Sequence, residues 1–160
     1  MSIELVVADY LNKDHVNDIV FLLNDYAQDP MGGGEPLSEY VQVNLAAELA
    51  KLPHAFSLIA YVDGKPAGLA NCFLGFSTFK CKPLINIHDL TVAKAFRGLG
   101  ISQALLGKVE EHARDKGCCK ITLEMLEGNE AARGSYLKFG FDGYELDPKM
   151  GKAMFWQKII

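Results

Sequence analysis

Between Leu84 and Met125 the chain reads strand, glycine-bearing turn, helix, strand, and this segment constrains the fold more than any other. Leu84 to Val92 is an apolar, strand-like run. Ile101 to Lys116 carries Ile101, Leu105, Val109 and Ala113 at four-residue spacing, with Glu110, Glu111 and Arg114 on the other side and Gly117 as a helix stop. Lys120 to Met125 is a second strand-like run. Two strands joined through a helix in one sheet lie parallel, and their crossover is right-handed.

The flanking segments add antiparallel strands and more helices. Ile3 to Ala8 predicts a strand. Asp14 is the expected N-cap of a helix reaching about Tyr26, with Val16, Ile19, Val20 and Leu23 as its apolar stripe. The breaker-rich run from Asp29 to Pro36 is a loop, and a second helix runs from about Ser38 to Leu52, stopped by Pro53. Phe56–Val62 and Pro66–Gly75 form a hairpin around Asp63-Gly64. Asn129 to Lys138 is a short helix ended by Gly140, and Phe141–Leu146 and Ala153–Lys158 are expected closing strands. The order predicts an α/β (α+β) fold: a mixed, mostly antiparallel sheet with helices on both faces, in one domain over residues 1–160.

Composition limits what such a chain does. At 160 residues and 49% apolar it can bury one core. No apolar run reaches the roughly 18–20 residues that span a bilayer, and Met1-Ser2-Ile3-Glu4 lacks a basic n-region, so a cytoplasmic protein without membrane contact is expected. A net charge of −4 argues against a nucleic-acid partner. Cys72, Cys81, Cys118 and Cys119 form no C-x-x-C pair and have no histidine at zinc-ligand spacing, so reduced thiols and no metal site are expected.

The turn Arg97-Gly98-Leu99-Gly100-Ile101-Ser102 opens the helix of the β-α-β unit. Helix N-termini carry unpaired N–H groups and about half a positive charge. Two glycines let an anion approach those groups, and Arg97 adds a cation. A dinucleotide fingerprint would need glycine where Gln103 stands and a tighter strand-to-helix turn, since five residues separate Val92 from Gly98. A Walker A loop would need Gly-Lys-Ser/Thr, which is missing. On the glycines alone, a plain turn stays as open as a phosphate site.

This turn resembles motif A of the GNAT superfamily of N-acetyltransferases, Q/R-x-x-G-x-G/A, with Arg97 and Gly100 matching and Ser102 in place of the final Gly/Ala. Leu90-Thr91-Val92 is similar to the family's cofactor-binding strand. Asn129-x-x-Ala132-x-x-x-Tyr136-x-x-x-Gly140-Phe141 resembles the family's later N-x-x-A-x-x-x-Y-x-x-x-G-F element. The resemblance covers nearly the whole chain. It implies a splayed parallel strand pair and acetyl-CoA as co-substrate, without a metal. The pyrophosphate would sit on Arg97, Gly98, Leu99, Gly100, Ile101 and Ser102, and the pantetheine arm along Leu90, Thr91 and Val92. Asn129 and Ala132 would lie near the arm, and Tyr136 would protonate the leaving thiolate. Asn129 could equally serve as an N-cap, and Tyr136 as a core residue.

The implied reaction is attack of a neutral primary amine on the thioester. An alkyl ammonium of pKa about 10.4 costs roughly 4–5 kcal/mol to deprotonate at pH 7, so a base or water chain is required. His88 and Asp89 precede Leu90, and strand alternation places them on opposite faces. His88 could be the base or a structural histidine; Asp89 could order a water or bind the ammonium; Glu124 is a weaker candidate. His54 reads as a loop residue and His112 as a helix-surface one, neither with chemistry. Glu35, Glu39 and Tyr40, with a Gly32-Gly33-Gly34 flap, could meet a cationic acceptor or be a solvated helix start. The Phe73–Ser77 layout resembles the diamine/polyamine-type subgroup, whose acceptors are small molecules. Open alternatives are a non-catalytic acyl-CoA sensing module and an enzyme acting on a protein amine. Oligomeric state stays open: related enzymes often form homodimers, and Ala153–Lys158 could pair or pack across such an interface.

Overall fold

The computed structural model describes all 160 residues. They form two compact units, Met1–Leu123 and Glu124–Ile160. The first contains strands β1 (Ile3–Val7), β2 (Ala55–Val62), β3 (Lys65–Ser77), β4 (Lys82–Val92) and β5 (Ile121–Leu123), with helices α1 (Lys13–Gln28), α2 (Glu39–Ala50) and α3 (Ile101–Asp115). The second contains helix α4 (Glu130–Phe139). The sheet order is β1-β2-β3-β4-β5, antiparallel throughout except for the parallel β4–β5 pair. The mixed, mostly antiparallel sheet is as the sequence predicts.

Local chemistry sets the element ends. Asp63 and Gly64 take φ of 47° and 77°, the two positive values that a tight hairpin with native strand twist requires. Ser38 caps α2 by accepting from the Val41 N–H at 3.3 Å. The cap of α1 is Asn12, not Asp14: the Asn12 carboxamide accepts from the Asp14 and His15 N–H groups, and Asp14 falls in the first turn, where its charge suits the helix dipole.

Helices cover both faces of the sheet. Ile19 and Leu22 of α1 pack on Ile59, Leu69 and Ala93. On the opposite face, the Cα of Gly68 lies so close under α3 that a Cβ there would come 2.8 Å from the Ile101 Cγ2. Adjacent strand residues point to opposite faces, so Leu69 marks the α1 face and Gly68 the α3 face. The stripe expected on α3 is buried at Ile101, Leu105, Val109 and Ala113.

The closing strands do not form. Phe141–Leu146 and Ala153–Lys158 carry a single antiparallel bridge, Glu145↔Lys152, flanking a 3-10 turn at Pro148–Met150. A strand needs a ladder partner for its backbone groups, and the unit Glu124–Ile160 contains one helix and no strand to supply it. The apolar run Met154-Phe155-Trp156 is correspondingly exposed. The last sheet strand also stops at Leu123, short of the expected Met125, which leaves Glu124 exposed and outside the sheet.

Candidate active site

The site begins where β4 parts from β5. The parallel pairing spans Ile85↔Ile121, Asn86↔Thr122 and Ile87↔Leu123 and then stops, while β4 stays paired with β3 as far as Gly68↔Val92. From His88 onward the β5-side edge of β4 therefore has no strand against it, the opening expected of a splayed pair. At the same point the β3–β4 register slips: Asn71 pairs Asp89 but Cys72 pairs Ile87, so His88 is the extra residue of a bulge. Bulges bend a strand and increase its twist, and this one falls where the β4–β5 pairing ends.

The bulge corrects the expected placement of His88 and Asp89. Asp89 pairs with Asn71, whose Nδ2 donates to the Asp89 Oδ2 at 3.0 Å. The His88 ring meets Phe73 edge-on at 5.6 Å. Asn71 and Phe73 stand two apart on β3 and share a face, so His88 and Asp89 lie on one face of the sheet, that of α1. His54 joins the same aromatic row, 5.9 Å from Phe73, and its carbonyl accepts from the Leu74 N–H. His112, expected on the helix surface, is half-buried and stacks on Phe56 at 5.3 Å.

Alternation also decides which backbone groups the open edge offers. The Ala93 N–H donates to the Ala67 carbonyl at 2.8 Å, so Ala93 and Thr91 turn their polar groups toward β3. Leu90 and Val92 turn theirs to the open edge. Thr91, buried opposite Leu69, contributes packing rather than backbone contacts there. The Val92 carbonyl accepts from the Arg97 Nε at 3.3 Å.

The turn that follows fits a phosphate. Gly98 and Gly100 both sit at φ +80°, a left-handed conformation costing other residues about 1–2 kcal/mol. A Cβ at either glycine would meet nothing within 4 Å, so the space over the turn is open. Gly100 is the N-cap of α3 and makes no side-chain cap hydrogen bond, and the N-terminal end of the dipole there favours an anion. Ile101 is buried and anchors the turn to the sheet, so its share in a cofactor site is its backbone, while Leu99 is partly exposed and Ser102 half-buried. Arg97 further reaches the Asp29 Oδ2 at 3.4 Å. The Met31 N–H, and after it the Arg97 guanidinium, hold the Asp29 carboxyl below the usual carboxylate range.

Three expected site residues lie in the second unit. Asn129 caps α4, accepting from the Ala132 N–H at 3.2 Å, so its capping role is real. Tyr136, half-buried, packs edge-on against Phe141 at 5.8 Å. Glu35, Glu39 and Tyr40 are exposed around the start of α2.

Sequence reasoning missed a buried row of polar side chains beneath Asp89. Ser57 pairs with Asn71 across β2–β3, and Asn71 with Asp89 across β3–β4. The Ser57 hydroxyl donates to the Asn71 Oδ1 at 2.6 Å, and Tyr10 lies 2.8 Å from the same hydroxyl. The available signal was a lone asparagine inside the otherwise apolar run Leu69-Ala70-Asn71-Cys72-Phe73. Burying such a group is costly unless it is hydrogen-bonded.

Comparison with known proteins agrees with this geometry. Residues 19–141 match the model of the acetyltransferase (GNAT) family. A thialysine N-epsilon-acetyltransferase of Caenorhabditis elegans is 29% identical over 79% of this chain and 76% of its own length. The Bos taurus protein of the same name is 32% identical over 66% of this chain and 69% of its own. Among solved structures, AAC(6')-Iy in complex with the bisubstrate analogue CoA-S-monomethyl-acetylneamine superposes with a TM-score of 0.75 at 20% identity, over 100% of both chains, a likeness of fold. With its open β4 edge and its glycine turn on α3, this chain belongs to the GNAT family of acetyltransferases.

Proposed function

We propose that this enzyme transfers the acetyl group of acetyl-CoA directly to a primary amine of a small molecule such as a diamine, polyamine or amino acid derivative. The observation that carries the reading is the open β4 edge followed, after the 3-10 turn Lys94–Phe96, by the left-handed glycines at the start of α3, an edge for an extended arm and a helix start for its diphosphate. Bound there, acetyl-CoA supplies an activated acyl group as a thioester. Arg97 and the N–H groups at the start of α3 would hold the pyrophosphate, and the Leu90 and Val92 edge would align the arm. The Leu90 N–H would stabilise charge developing on the thioester carbonyl oxygen.

The acceptor side is read from His88 and Asp89. Both lie on the α1 face at the opening, where a carboxylate can receive an ammonium and an imidazole can take its proton directly or through water. The Caenorhabditis and Bos relatives are named for acetylating thialysine, an amine, which supports a small cationic acceptor. Tyr136 is read as the acid for the departing thiolate on its motif, with Asn129 and Ala132 near the cofactor arm.

The test is thiol release from acetyl-CoA over a panel of diamines, polyamines and basic amino acid derivatives, alongside melting with CoA and with NAD. Amine-dependent release and stabilisation by CoA alone are expected. Intact CoA binding with no release over the whole panel would leave a binding module and defeat the reading.

A further inference from the structure

We infer that Asn71 is a positioning residue for Asp89, locked in one orientation by Ser57 and Tyr10, so that the acceptor amine meets a carboxylate of fixed direction. The inference deepens the reading of Asp89 as part of the acceptor end and rests on it.

The lock follows from hydrogen-bond bookkeeping along one row of the sheet. Ser57 is fully buried and Asn71 is 3% exposed. An ionised carboxylate only accepts hydrogen bonds. Asn71 must therefore present Nδ2 to the Asp89 Oδ2, as the 3.0 Å contact shows. Its Oδ1 then faces Ser57, which spends its only proton on it at 2.6 Å. Ser57 can now only accept from Tyr10, so the Tyr10 hydroxyl donates at 2.8 Å. Every direction in the row is dictated by the charge at one end, and a neutral side chain at position 89 would let the row run either way.

The surroundings place that charge where an acceptor would use it. The bulge turns His88 onto the same face beside Phe73. The groups that feel Asp89 are Tyr26 on α1 and Cys72 on β3: burial first, and then the Asp89 charge, raises the Tyr26 phenol and pushes the Cys72 thiol up to about 12. Asn71 is the neighbour that instead donates to Asp89. A carboxylate held by a second residue reacts without reorienting, the same logic by which outer partners fix metal ligands and catalytic groups.

The experiment is a double-mutant cycle read in kcat/KM for the amine and, separately, in CoA affinity. Asn71→Leu should lower kcat/KM roughly 10-fold, the scale of one hydrogen bond to a charged group. Ser57→Ala should cost less and Tyr10→Phe least, with CoA affinity unchanged in all three and Ser57→Thr restoring activity. In an Asp89→Ala background, Asn71→Leu should cost under about twofold more, because its only route to the reaction is gone. Equal losses in both backgrounds would make Asn71 merely structural and overturn the inference. Should Asn71→Leu not fold, Ser57→Ala carries the same cycle. A readout independent of turnover is solvent exchange of the Asn71 side-chain amide, slow in the wild type and faster in Ser57→Ala; unchanged exchange would refute the lock. A wild type that binds CoA but releases no thiol would instead fail the proposed function, with the lock still decided by exchange.

Discussion

Gly68 offers a sharp test of how the glycine turn at the start of α3 is held. A Cβ built on it would lie 2.8 Å from the Ile101 Cγ2, 3.1 Å from the Leu105 Cδ1 and 3.2 Å from the Thr91 carbonyl oxygen. Its backbone is not in the left-handed region, so alanine is conformationally allowed and would by itself gain about 0.5–1 kcal/mol from reduced freedom of the unfolded chain. The contacts oppose this gain. Cγ2 of a β-branched helical residue has no alternative rotamer to retreat into, and a main-chain oxygen yields only with its strand. Overpacking of this kind costs about 1–3 kcal/mol, so Gly68→Ala should be net destabilising by about 1–2 kcal/mol. For a chain of this size that lowers Tm by about 3–6 °C. Ile101 is the first residue of α3, so the helix start must move with it, and CoA affinity measured by calorimetry should fall as well. Ile101→Leu removes Cγ2 and should recover part of both losses in the Gly68→Ala background. A Gly68→Ala protein that melts higher and binds CoA as the wild type does would refute the packing argument.

Further outcomes follow from the same geometry. Gly100→Ala has free space around it but a φ of +80°, so it should cost about 1–2 kcal/mol in melting and weaken CoA binding, with no steric rescue available. Tyr136→Phe should lower kcat while leaving CoA affinity nearly unchanged; an unaltered rate would remove Tyr136 from the chemistry. Asp29→Asn removes the carboxylate that shares Arg97 and should tighten CoA a few-fold at low salt while changing stability little, as exposed pairs do. Because the Asp29 carboxyl is held low, its contribution is present above the ordinary aspartate pKa and disappears as pH falls through the lowered one; the affinity gain of Asp29→Asn should therefore vanish in strong acid, measured by titration at descending pH. Cys72, buried with its thiol pushed up to about 12, should resist thiol reagents until the protein unfolds, whereas exposed Cys81 reacts at once.

Much of this protein is written locally in its sequence. The β-α-β unit, the Asp63-Gly64 hairpin, the Ser38 and Asn129 caps and the glycines at 98 and 100 depend on side-chain periodicity, capping chemistry and backbone freedom within a few residues. Their types could be read in order along the chain, and the glycine turn with them. What tertiary structure decided is relational. The bulge at His88 exists only against the β3 register, and it moves His88 onto the face of Asp89, reversing simple alternation. The row Tyr10, Ser57, Asn71, Asp89 is drawn from four separate segments and becomes a network only when three strands lie side by side. The segments Phe141–Leu146 and Ala153–Lys158 carry aromatic residues that suit strands, yet a strand is a property of a pair, and no ladder partner stands beside them in their unit. The glycine turn was therefore legible because a helix start is a local object, whereas the row beneath Asp89 was not, because each of its residues finds its partner in a segment distant in sequence.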